Sequence, residues 1–198
     1  MAKQLNWFRV ERTIRQSRLS LFSPQDLRHL LRGSETSLRF LLSRAHGRGE
    51  VVKLRRELYA LPDSLPSELE VANALLKPSY ISLLYALAFY HLIPESVFEI
   101  TSVTTRTTRR FEALSKVFTY RHIRPAVFAG YRPEKIGGKI ILIAEPEKAL
   151  LDSLYFESLG QLSLPERLNI AHINTDRVFA MAGLYCRPAL LARVEALL

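Results

Sequence analysis

The sequence predicts an α+β chain of two domains: a small helical domain closed by a β-hairpin, then a larger mixed domain that ends in short helices. Three observations carry this reading of the 198 residues. Helix start signals and 3.6-residue apolar periodicity recur through residues 7–46, and a short hairpin pattern follows them. Alternating and β-branched runs dominate only after Pro94. The charge is also lopsided. Residues 1–62 carry 13 Lys/Arg against 5 Asp/Glu, and residues 63–198 carry 15 against 14, so nearly all of the net +9 sits in the first third. Such a field speaks for a polyanionic partner rather than for a fold.

Trp7, Val10 and Ile14 space a first helix, with Arg9, Arg12, Arg15 and Arg18 sweeping around it. The second helix starts in FSPQDLRHLL. Ser23 is the N-cap, Pro24 suits the first helical position and Asp26 completes a capping box, while Phe22 and Leu27 form a hydrophobic staple. It should end near Arg32–Gly33, leaving a short turn before Ser34 caps a third helix. Leu38, Leu41, Leu42 and Ala45 form the apolar stripe of that helix at i, i+3, i+4 and i+7, and Gly47 and Gly49 stop it. EVVKL and LYAL then read as strands joined by the basic turn Arg55-Arg56-Glu57. Three helices with a tight turn, then a hairpin, is the winged helix-turn-helix order, in which the third helix enters a major groove and the hairpin lies beside the backbone.

Opposite the apolar stripe of the third helix lie Thr36, Phe40, Ser43 and Arg44, flanked by Ser37 and Arg39. Short hydroxyls, an aromatic ring and guanidinium groups are the side chains that read base edges and clamp phosphates. With Arg48 behind the helix and Arg55 and Arg56 in the hairpin turn, these form the candidate contact set for double-stranded DNA. The competing reading is a small helical domain with a solvated basic face.

PDSLPS, residues 62–67, has the composition of a linker, which divides the chain into a DNA-binding domain (1–62), a linker (63–67) and a second domain (68–198). Ser67 and Glu70 suggest a capping box opening the helix SELEVANALLK. SYISLLYALAFYH is apolar around nearly its whole circumference and predicts a buried central helix. FEITSV, VFTYRHI and KIILIA read as strands, the last following a Gly137-Gly138 hairpin turn. PEKALLDSLYFESL returns to helical period, and a helical tail from about residue 161 should hold short helices begun at Pro165, Asn174 and Pro188.

The single cysteine, Cys186, excludes an internal disulfide and suits a reducing compartment. The N-terminal residues lack an unbroken apolar segment of the secretory type, and the most apolar run, 80–93, is too short to span a bilayer. A cytoplasmic protein without membrane contact is the expectation.

Catalytic and cofactor patterns are largely missing. Gly137-Gly138-Lys139 lacks the upstream glycine and following hydroxyl of a phosphate-binding loop. There is no GxSxG, no HExxH and no cysteine partner for zinc, so no metal or cofactor is expected. IILIAEPEKALLD fails the Glu-x-Lys spacing of metal-dependent nucleases, and Pro146 breaks the strand alternation such a site needs.

The residues FSPQDLRHLL, VVKLRRELYALP, KPSYISLLYALAFYHLIP, ITSVTTRTTRRF, FTYRHI and IAEPEKALLDSLYF together resemble the AbiEi-type antitoxins of type IV toxin–antitoxin (abortive infection) systems. The likeness runs from about residue 20 to 160, and "PSYISL…AL" with "IAEPEKALLD" is its most specific part. It implies an N-terminal winged-helix domain that binds operator DNA upstream of its own operon and represses it. It also implies a C-terminal antitoxin domain, not an enzyme, that neutralises a nucleotidyltransferase-like toxin. One position departs from the pattern: where the family's wing usually reads Arg-Arg-Gly-Leu-Tyr, Glu57 replaces the glycine. It should either adopt a strained conformation or force a longer loop.

Lys148 and Asp152 stand at i, i+4 on one helix. They read either as an exposed intrahelical ion pair or, with Arg106, Arg109 and Arg110 of TTRTTRR, as a phosphoryl-transfer or partner-binding set. Two other functional readings therefore stay open beside the antitoxin: an enzyme that inactivates its toxin by covalent phosphoryl transfer, and a winged-helix repressor whose second domain senses a small ligand.

Overall fold

The structure is a computed structural model that describes residues 5–198. The fold is mixed α+β and comprises two compact units, whose boundary falls between Ser67 and Glu68.

In the first unit, α1 (Trp7–Gln16), α2 (Pro24–Leu31) and α3 (Glu35–Gly47) precede β1 (Val52–Arg55) and β2 (Leu58–Ala60). The capping box at α2 is formed: the Ser23 hydroxyl accepts from Asp26 N at 3.1 Å, and Asp26 Oδ2 accepts from Ser23 N at 2.8 Å. Arg32 then takes a left-handed conformation (φ 51°) and stops the helix. Ser34 occupies the N-cap position of α3 but makes no side-chain cap bond.

Phe22 does more than staple α2. It forms a β-bridge with Tyr59, exchanging two backbone hydrogen bonds of 3.0 Å, and its ring stacks on that of Tyr59 with centroids 6.4 Å apart. The hairpin is thereby hydrogen-bonded to the segment between α1 and α2. Val10, Ile14, Phe22, Leu27, Leu38, Leu42 and Ala45 are fully buried in the resulting core. Residues 62–67, whose composition suggested a linker, belong to this unit. Ser64 N donates to Leu61 O at 3.2 Å, and Asp63 pairs with Arg15 at 2.7 Å. The Arg15 guanidinium holds the Asp63 carboxyl below its ordinary pKa.

The second unit is built on a six-stranded mixed sheet, in chain order β3 (Ser79–Ile81), β4 (Ile100–Thr104), β5 (Arg109–Ala113), β6 (Lys116–His122), β7 (Tyr131–Ile136) and β8 (Lys139–Ala144). The spatial order is β5-β6-β4-β3-β8-β7. The hairpins β5-β6 and β7-β8 flank the antiparallel pair β3-β4, and each joins it through a parallel contact. Every position of β3 and β4 is buried, which requires cover on both faces. On one face lies α4 (Glu68–Leu75), where Asn73 bonds both N and O of Leu142 and Ala72 O accepts from the Tyr120 hydroxyl. On the other lies α6 (Pro146–Ser158), reached by Tyr80 and Ser82.

Three expectations need correction. SYISLLYALAFYH is not one helix: Ser79–Ile81 form the central strand β3, and only Leu83–Phe89 are helical (α5). A continuous apolar run fits a strand buried on both faces as well as a buried helix, and pairing with β4 and β8 decides for the strand. The strands β5 and β7 add to the three runs that sequence pattern identifies. Both are half-exposed edge strands, and β7 carries Pro133, which an edge tolerates. No helix starts at Pro165; α7 (Thr175–Gly183, N-cap Asn174) and α8 (Pro188–Leu197) form the helical end. Val178, Ala182, Leu190 and Val194 of these two helices are fully buried. Among the described residues, no helix is long and apolar enough to cross a membrane.

Candidate nucleic-acid interface

The apolar stripe of α3 packs inward as its periodicity predicts, with Leu38, Leu41, Leu42 and Ala45 buried. This orients the remaining side chains. Thr36, Ser37, Arg39, Phe40, Ser43 and Arg44 all lie outside the buried stripe, and Arg39, Phe40, Ser43 and Arg44 are exposed. Phe40 is 67% exposed. Ser37, Phe40 and Arg44 line one shallow depression together with Leu5 and Leu41. An apolar ring beside a guanidinium and a hydroxyl can meet a thymine methyl group and hydrogen-bond an adjacent base edge.

Arg48, Arg55 and Arg56 are exposed behind the helix and on the hairpin, and Lys53 on β1 is exposed with them. The spacing of the helix drew no attention to Lys53, although strand alternation places it on the side opposite the buried Leu54. His46 Nδ1 lies 3.2 Å from Val51 O, a hydrogen bond that fastens the end of α3 to the start of the hairpin.

The cations differ in their partners. Arg39 reaches Glu35 Oε1 and Glu57 Oε1, both at 2.7 Å, and Arg48 reaches Glu50 Oε2 at 2.6 Å. Arg44, Lys53, Arg55 and Arg56 have no ion pair among the described residues. Glu57 closes the two-residue turn Arg56-Glu57 and takes φ 60°. Glycine adopts that conformation freely, whereas for a residue with a Cβ it costs roughly 1 kcal/mol. Of the two outcomes expected for the missing glycine, strain or a longer loop, the chain adopts the strain.

The residues singled out in the second unit do not form one site. Lys148 and Asp152 are 2% and 0% exposed. Lys148 Nζ donates to Val127 O at 2.9 Å, to Asp152 Oδ1 at 2.7 Å and to the Tyr185 hydroxyl. Asp152 also accepts from Tyr80 and Ser82 at 2.9 Å and from Tyr185 at 2.6 Å. The pair is therefore neither the exposed helix-surface contact nor a group open to substrate.

Gly130 (φ 78°) makes room for this lysine, because a Cβ there would stand 3.1 Å from Lys148 Cγ. Burial, then the Asp152 charge, push the Tyr80 and Tyr185 hydroxyls well above their ordinary pKa. Arg106, Arg109 and Arg110 take no part. Arg106 Nε donates to Lys77 O at 2.6 Å, Arg109 is exposed on the edge strand β5, and Arg110 there pairs with Glu112.

Sequence spacing found Lys148 and Asp152 but not Tyr80, Ser82 or Tyr185, which come from a strand, its end and the turn after α7. These network residues nevertheless include Tyr80 and Ser82 of PSYISL and Lys148 and Asp152 of IAEPEKALLD. Among the described residues, no cluster of His, Cys, Asp or Glu could hold a metal ion. Neither the known protein-family models nor the curated proteins contain a match to this chain.

Proposed function

We propose that residues 5–67 form a winged helix-turn-helix that binds double-stranded DNA, with α3 in the major groove and the β1-β2 hairpin against the phosphate backbone. The observation that carries this reading is the outward face of α3, which presents hydroxyls, Phe40 and Arg44 beside the exposed Lys53, Arg55 and Arg56. The Phe22–Tyr59 bridge supports it, since it ties the hairpin to the helices as a wing requires. The charge of +8 on residues 1–62 supports it as well.

The resemblance in sequence extends the proposal to a cytoplasmic autorepressor and antitoxin that represses its own operon and neutralises a nucleotidyltransferase-like toxin. The second unit then acts without chemistry of its own. Against a covalent phosphoryl transfer through Lys148 and Asp152 stand the burial of both side chains and their saturation by internal hydrogen bonds.

The test separates two arginines by titration of the full chain on a duplex from upstream of its own gene and on a scrambled duplex. Arg44→Ala should cost about 1–3 kcal/mol on the upstream duplex and far less on the scrambled one, as for a base contact. Arg39→Ala should weaken both equally and flatten the salt dependence by about one unit, as for a phosphate contact. Equal losses on both duplexes for Arg44→Ala would remove its base-reading role.

A further inference from the structure

We propose that Glu57 acts as an internal stand-in for a DNA phosphate, holding the Arg39 guanidinium and setting how tightly the surface binds a duplex. The inference rests on the winged-helix reading above and concerns the regulation of that same surface. A guanidinium fork receives a carboxylate and a phosphate in the same geometry. In the free protein one nitrogen of that fork, Arg39 Nη2, is engaged from two directions: by Glu35, one turn back on α3, and by Glu57 at the tip of the hairpin, each at 2.7 Å. Glu35 also lies 3.8 Å from Arg28, so it serves two cations, whereas among the described residues Glu57 pairs with Arg39 alone.

The backbone gives a second, independent reason to single out Glu57. It sits at φ 60°, where a residue with a Cβ is strained. An exposed ion pair returns little stability to the fold, so the fold itself gains nearly nothing from a glutamate in that turn. Its consequence falls on the binding surface. Glu57 is the one carboxylate on a hairpin tip that otherwise offers Arg55 and Arg56, and it competes with the duplex for one of the guanidinium groups of α3. A phosphate arriving at Arg39 must displace it. Because the contact displaced is a backbone contact, the effect should be the same on every sequence.

Full-length parent, Glu57→Gln and Glu57→Gly are titrated on the upstream duplex and the scrambled duplex over a series of salt concentrations, and Glu57→Gln is repeated in an Arg39→Ala background. Glu57→Gln should bind both duplexes about three- to fivefold tighter, with the salt dependence unchanged within about half a unit, because Arg39 meets the same phosphate in both proteins. Glu57→Gly should do the same and melt no lower than the parent. In the Arg39→Ala background the effect of Glu57→Gln should shrink below about twofold. Unchanged affinity in Glu57→Gln, or equal tightening with and without Arg39, overturns the proposal while leaving DNA binding intact. Absence of duplex binding by the parent and all variants overturns the DNA-binding reading, and this proposal with it.

Discussion

Asp152→Ala is expected to leave residues 68–198 largely unfolded at ordinary temperature. The substitution takes one acceptor group away from four donors at once: Lys148, Tyr80, Ser82 and Tyr185. Breaking a buried ion pair by removing one partner costs about 3–5 kcal/mol, and each orphaned buried hydroxyl adds to this. A domain has about 5–15 kcal/mol in total. The conservative Lys148→Met should lose less, since its apolar stem still fills the space above Gly130, but it leaves the Asp152 charge buried without its cation. Thermal denaturation of the full chain reads both.

The same network sets an alkaline limit. Tyr80 and Tyr185 keep their protons in the folded state above pH 10.0, the ordinary tyrosine pKa at which the unfolded chain releases them. The folded state then binds more protons, so stability should be intact below about pH 10 and fall as pH rises beyond it. A melting temperature that is flat from about pH 9 to 11, or an Asp152→Ala variant that melts with the parent, would show that the network does not hold the unit together.

The second large effect belongs to the first unit. Replacing Arg44, Lys53, Arg55 and Arg56 together by alanine should weaken duplex binding by about 100-fold or more, roughly 3 kcal/mol, at physiological salt. All four are exposed and without an ion pair among the described residues, so the fold should lose little. Gel shifts on the upstream duplex measure the loss, and an unchanged melting temperature shows that it arises at the surface. If the quadruple variant bound as the parent does, the basic excess would be only a solvated face.

Local signals were legible in the sequence, and signals between distant segments were not. The start of α2 could be read because Ser23, Pro24 and Asp26 settle it within four residues. The inward and outward faces of α3 could be read because one period, 3.6, sorts Leu38, Leu41, Leu42 and Ala45 from Phe40 and Arg44. The central strand β3 could not, because nothing within Ser79–Ile81 distinguishes a strand from a helix until β4 and β8 lie beside it.

The edge strands β5 and β7 were hidden because half-exposed residues, with Pro133 among them, carry little apolar alternation. For Lys148 and Asp152 the spacing was visible but the burial was not. Their partners stand at residues 80, 82, 127 and 185, far away along the chain. Glu57 could be read as a position where glycine would be easier; that its carboxylate turns back onto Arg39 could not.

The salt dependence of duplex binding tests the central claim most directly. The full chain is titrated against the upstream duplex across a series of salt concentrations, and log K is plotted against log[salt]. A wing and recognition helix that neutralise roughly 5 phosphates predict a slope near −4 to −5. A slope shallower than about −2, or no measurable binding at low salt, would contradict the account, because the charge on residues 1–62 would then have no polyanion to meet.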